Sequence, residues 1–228
     1  MGLVVAKVAA LADLYPRRGI DSMWLPGTGD TAPRRFDLAG SSGVALSPEP
    51  FTTEVGLGPY PVTVLDQANA MATFAAGGRR AGVHFVRRVS KDFAVVHSET
   101  TSPVGTALAK PLVDDLSWAL SQGPVGALPG GRVSAAIAGT VRLRTSVVEN
   151  AHAWVVGYTP NLAMAVWIGN EETEFPLRDA LGGRVSGPGL PAEIYRAVMA
   201  GVADRLALPR VDFATPTFTG NQSAGDAR

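Results

Sequence analysis

Apolar and polar residues change rhythm several times along the 228-residue chain, and each change marks an element. Val4, Val8, Leu11 and Leu14 fall at helical spacing ahead of Pro16, which predicts a helix over residues 1–16. No Ser, Thr, Asp or Asn precedes it as a cap, so the helix reads as truncated at its start, with the chain beginning inside a larger domain. Residues 17–60 lose all period and are rich in Gly, Pro, Asp and Ser, as in LPGTGDTAP, which predicts a long irregular loop. PVTVLDQANAMATFAAGG at 61–78 is the clearest helix. Thr63 can cap it, Asp66 sits three later as in a capping box, and Gly77 can end it. Its stripe of Leu65, Ala68, Met71, Ala72 and Ala75 is narrow and small, fit for close approach to a sheet.

Beyond residue 80 the period shortens. VHFVRRV at 83–89 and FAVVH at 93–97 alternate like a hairpin across an SKD turn. KPLVDDLSWALSQG at 110–123 returns to helical spacing, with Pro111 in the first turn and Leu112, Leu116 and Leu120 in register. Alternating runs at 133–143, 151–159 and 162–169 follow, the last two joined by a short Thr-Pro-Asn turn, which predicts an antiparallel three-strand meander. A final helix from Pro191 carries Ile194, Val198, Val202 and Leu206 as its buried stripe until Pro209, and 209–228 reads as a flexible tail. The order predicts an α+β fold in which helices cover the meander and hairpin, with 61–208 as the organised domain.

Composition narrows the function. Hydrophobic residues make up 46% and charged residues 18%, the balance of a globular chain. The formal net charge is zero, so no basic field gathers nucleic acid. There is no cysteine, which removes disulfides and thiolate chemistry. The most apolar run, LAMAVWIG at 162–169, is far short of the ~20 residues of a membrane helix. The N-terminal run lacks the basic flank and cleavage site of a signal peptide, so the chain as given is expected to stay in the cytoplasm.

Few residues carry candidate chemistry. His84, His97 and His152 show no ligand spacing, so no metal site is expected. Gly27, Gly29 and Ala32 spell G-x-G-x-x-A inside a loop rather than between strand and helix, and no cofactor is expected. Gly40-Ser41-Ser42-Gly43 lacks the fifth position of a nucleophile elbow. Asp114 and Asp115, and Glu171, Glu172 and Glu174, are read as solvated carboxylates. Asn221-Gln222-Ser223 spells a glycosylation acceptor in the tail.

The wording of the second half points further. AAIAGT at 135–140, NAHAWVVGYTPNLAMAVWIGN at 150–170, PLRDALGG at 176–183 and GLPAEIYRAVM at 189–199 closely resemble the end of a penicillin-binding protein transpeptidase domain of the actinobacterial class A kind. The 61–78 helix resembles the one that precedes this segment in the same family, so the likeness runs from about residue 44 to 205. It implies the C-terminal portion of a β-lactamase/transpeptidase-like fold, in a family of serine D,D-transpeptidases that cross-link peptidoglycan in the cell envelope. In that family a Ser-x-x-Lys helix supplies nucleophile and base, a Ser-x-Asn turn aids proton transfer, and a Lys-Thr-Gly strand holds the substrate.

The chain departs from the pattern where chemistry resides. The three positions before Lys7, Lys91 and Lys110 hold Val4, Arg88 and Ala107, so no Ser-x-x-Lys occurs, and no Ser-x-Asn occurs either. The Lys-Thr-Gly-Thr positions read Ile137, Ala138, Gly139 and Thr140. Gly139 keeps the close approach and Thr140 the hydroxyl, but the cation is gone, and Val133, Ile137, Val141 and Leu143 make that strand face apolar. Loss of a buried charge partner costs on the order of 2 to 5 kcal/mol. The resemblance therefore implies a pseudoenzyme with no catalytic residue, Ile137 to Thr140 as a degenerate binding strand, and weak binding of a stem peptide or β-lactam. The missing motifs are expected upstream. The alternatives are a non-catalytic module that docks an envelope protein, and a decayed gene remnant.

Overall fold

The computed structural model describes residues 5–12, 62–81, 83–98, 105–170 and 175–218, with backbone alone for 5–12. Its centre is a four-stranded antiparallel sheet. Strand β1 (Val5–Ala12) pairs with β8 (Leu162–Gly169), β8 with β7 (Asn150–Thr159), and β7 with β6 (Ala135–Arg142), giving the order β1-β8-β7-β6. The last three are the expected meander, turned at Pro160 and Asn161, where the Thr159 hydroxyl donates to the Asn161 side chain at 2.9 Å.

β1 corrects the expectation of a helix over 1–16. The run VAKVAALA is apolar at every position but Lys7, so spacing alone does not fix its form, and pairing with β8, Val5 with Gly169 through Ala12 with Leu162, makes it a strand. The expected loop at 17–60 lies outside the described residues.

Helices cover both faces of the sheet. On one, α1 (Val64–Ala75) and α2 (Lys110–Ser121) pack around Ala135, Tyr158 and Ala163. Thr63 caps α1 as the sequence predicts, accepting from the Asp66 N–H at 3.0 Å, and Gly77 and Gly78 turn the chain away with φ of +67° and +87°. The contact stripe of α2 is Val113, Leu116, Ser117 and Leu120, whereas Leu112 faces solvent. Ser117 is buried because its hydroxyl bonds the Tyr158 hydroxyl at 2.9 Å.

On the other face lies α3 (Leu190–Arg205), packed on Val155, Leu162, Met164 and Val166. Its most deeply buried positions are Ala192, Tyr195, Met199 and Ala203, the last three one step round from the expected stripe. Ile194, Val198 and Val202 are half-buried, and Leu206 lies beyond the helix end and is exposed.

Two small ribbons complete the described fold. β2 (Arg79–Arg80) pairs with β5 (Gly105–Thr106), and β3 (Arg88–Lys91) pairs with β4 (Ala94–Ser98), a hairpin where one was expected but with its first strand at 88–91 and not 83–89 and its turn at Asp92 and Phe93, exposed throughout. The tail is less loose than expected as far as residue 218. Arg132 donates to the Leu208 and Pro209 carbonyls at 2.9 and 2.8 Å, Phe213 packs edge-on against Tyr158, and the Thr217 and Phe218 N–H groups both donate to Asp115 at 2.7 Å.

Candidate functional site

The strand that carries Ile137 to Thr140 is β6, at the end of the four-strand order, so among the described residues it pairs with β7 alone. Its side chains alternate between the two sheet faces. Ala135, Ile137, Gly139 and Val141 look toward the face of α1 and α2, and Ala136, Ala138 and Thr140 toward that of α3. Ala135 and Ala136 are fully covered, but exposure rises along the strand as the helices run out: Ile137 is 53% exposed and Gly139 is open. Next to Gly139 stands Trp154, its register partner, whose ring lies 6.0 Å from that of Trp167 on β8. A Cβ at Gly139 would meet only the Trp154 Cβ, at 3.9 Å, so this face of the strand has room at Gly139.

On the opposite face the strand is occupied. The Gly187 N–H, in the turn leading into α3, donates to the Thr140 hydroxyl oxygen at 2.9 Å. Gly187 lies so close that a Cβ on it would come within 2.5 Å of the Gly139 carbonyl oxygen. Thr140, counted from sequence as an available hydroxyl, is thus tied to the protein's own backbone and directed away from the face that Ile137 occupies. Gly187 is the member of this site that sequence reasoning missed. The signal was Ser186-Gly187-Pro188-Gly189, a run of small residues directly before a helix.

Ile137 supplies no charge, and two guanidiniums on or after β6 among the described residues are engaged elsewhere. Arg142 donates to the Val147 carbonyl and Arg184 to the Val148 carbonyl at 2.9 Å, both in the β6–β7 connection. Ile137 is 53% exposed, so a cation at this position, as the resemblance implies, would be worth only the ~0.2–1 kcal/mol of a surface pair and not the larger buried-pair figure. Of the lysines whose side chains are described, Lys91 lies on the hairpin and Lys110 on α2, where it pairs with Asp114 at 2.7 Å.

The remaining proton-bearing groups near the sheet are structural. Burial pushes the Tyr158 hydroxyl up to about 12, partly offset by its bond to Ser117. Tyr195 is pushed up further by burial and donates to Ser134 at 3.3 Å. Both are fully buried in the core. His84 and His97 lie on or beside the hairpin and His152 on β7, so the three are not brought together. Asp114 and Asp115 part ways, to Lys110 and to the tail. Residues 27–43, 171–174 and 221–223 lie outside the described residues.

No protein-family model matches the chain. Two curated relatives do. It is 37% identical to penicillin-binding protein 1A of Mycolicibacterium smegmatis over 158 residues, and 34% identical to penicillin-binding protein 1A of Mycobacterium tuberculosis over 201 residues. These alignments cover 66% and 84% of the chain but 20% and 23% of those proteins. Two solved structures of the penicillin-binding protein PonA1 from Mycobacterium tuberculosis, one in complex with penicillin V, share its fold with TM-scores of 0.65 and 0.63. They are 34% and 35% identical to it, cover 72% of it, and are covered to 43% and 44%. By shared sequence and fold, the chain corresponds to part of a penicillin-binding protein transpeptidase domain of the actinobacterial type.

Proposed function

We propose that these 228 residues form a transpeptidase-type module of the peptidoglycan machinery that does not itself perform acyl transfer. The observation that carries this reading is the state of β6. Where the resemblance calls for a cation there is an exposed aliphatic group, and the Thr140 hydroxyl is held by the Gly187 N–H on the other face. Acyl transfer also needs an oxygen nucleophile beside a base, and the Ser-x-x-Lys and Ser-x-Asn spacings are absent from the sequence. The proposed setting is the cell envelope, by analogy with the relatives. The test is turnover: a synthetic stem peptide ending in D-alanyl-D-alanine is incubated with the purified chain and free D-alanine is measured. No release above the protein-free rate is expected. Release that scales with protein concentration refutes the reading.

A second reading is a docking module that binds an extended peptide without chemistry. The place of β6 at the end of the strand order favours it, since an edge strand can accept a further strand. The PonA1 complex with penicillin V makes a β-lactam a second ligand to examine. Titration with the same stem peptide tests it, and absence of saturable binding removes it.

A further inference from the structure

The C-terminal end of α1 and the first turns of α2 enclose a cleft of about 560 Å³, within the size range of small-molecule sites. The segment following α3 closes its third side. Phe74 and Phe213 supply apolar walls, and the Tyr158 ring contacts both, at centroid distances of 5.9 and 5.5 Å. Ser117 fixes the Tyr158 hydroxyl, and the Asp115 carboxylate holds the chain just beyond Phe213. These ties form the cleft in advance of any ligand.

Charges of both signs line it. Lys110 and Asp114 satisfy one another at 2.7 Å. Arg79 and Asp212 do not. Arg79 donates through Nε to the Ala76 carbonyl at 3.4 Å, and among the described residues neither its terminal nitrogens nor the Asp212 carboxylate has a partner. An unpaired guanidinium fork and an unpaired carboxylate that line one cleft without meeting are complementary to a ligand carrying both charges.

From this juxtaposition we infer that the cleft binds a small zwitterion with an apolar body, an amino acid or short peptide, with its carboxylate on Arg79 and its ammonium on Asp212. The site is separate from residues 137–140, and the inference does not rest on the proposed function.

Three probes that share a phenylethyl body test it by calorimetric titration of the full chain: phenylalanine, N-acetylphenylalanine without the ammonium, and 2-phenylethylamine without the carboxylate. Phenylalanine is expected to saturate, with the other two weaker by about tenfold or more. Arg79→Gln should erase the preference over 2-phenylethylamine, and Asp212→Asn the preference over N-acetylphenylalanine. Both residues are exposed, so the variants should melt as the parent does. Equal affinity for the three probes, no saturation by phenylalanine up to its solubility limit, or unchanged selectivity in both variants overturns the inference.

Discussion

Gly187 and Gly139 face each other across β6, and replacing each by alanine should have opposite outcomes. A Cβ at Gly187 would lie 2.5 Å from the Gly139 carbonyl oxygen, 2.8 Å from that of Trp154 and 2.9 Å from the Gly139 nitrogen. All three are backbone atoms of the β6–β7 ladder, so they cannot yield without breaking strand pairing. The turn must move instead, taking the Gly187 N–H away from Thr140. Overpacking costs ~1–3 kcal/mol. Loss of the hydrogen bond adds ~0.5–1.5 kcal/mol. Gly187→Ala should therefore destabilise by about 2–4 kcal/mol, which lowers Tm by about 4–16 °C in a protein of this size. Gly139→Ala adds a methyl group in ordinary contact with Trp154, and should change stability by no more than ~0.5 kcal/mol. Thermal unfolding followed by circular dichroism, checked by urea midpoints, reads both. A Gly187→Ala protein that melts with the parent, or a Gly139→Ala protein that loses as much, refutes the close packing of this turn on the strand.

Further outcomes follow from the buried tyrosines, the tail and the lost cation. Tyr158 holds its proton to about pH 12 when folded but to about pH 10 when unfolded, so its stabilisation is complete below pH 10 and is lost as pH rises toward 12. The slope is ~1.4 kcal/mol per pH unit. Urea midpoints between pH 9 and 12 should fall, and a flat profile contradicts the burial. Ser117→Ala leaves the Tyr158 hydroxyl without this partner and should cost ~1–3 kcal/mol in urea unfolding. Asp115→Ala removes the acceptor for Thr217 and Phe218, and limited proteolysis should then cut after residue 210 faster than in the parent. Ile137→Lys restores a half-exposed cation worth ~0.2–1 kcal/mol, a gain of about fivefold at most in binding a peptide carboxylate, measured by titration.

Local signals made most of the fold legible. The Thr63 and Asp66 cap, the alternation of the meander and the turn at Pro160 each act over a few residues, and each gave the right element. The failures share a cause in distant contacts. Residues 5–12 suit either helix or strand, and their partner lies 150 to 164 positions away at 162–169. The tail looked loose because Tyr158 and Asp115, which hold Phe213 and Phe218, are remote in sequence. The stripe of α3 was misplaced by one position because Tyr195 and Met199 were not counted among its inward residues. At the candidate site, the aliphatic character of residue 137 was readable from the sequence directly. That Thr140 faces the other way and bonds Gly187 was not, since it depends on where the turn before α3 crosses the sheet.

Whether a chain of transpeptidase architecture lacks acylation chemistry, as proposed, is decided by a covalent trap. The purified 228-residue protein is incubated with penicillin V and its intact mass recorded. An unchanged mass is the predicted result. A stable increase equal to one penicillin V, located on a serine by peptide mapping, would contradict it.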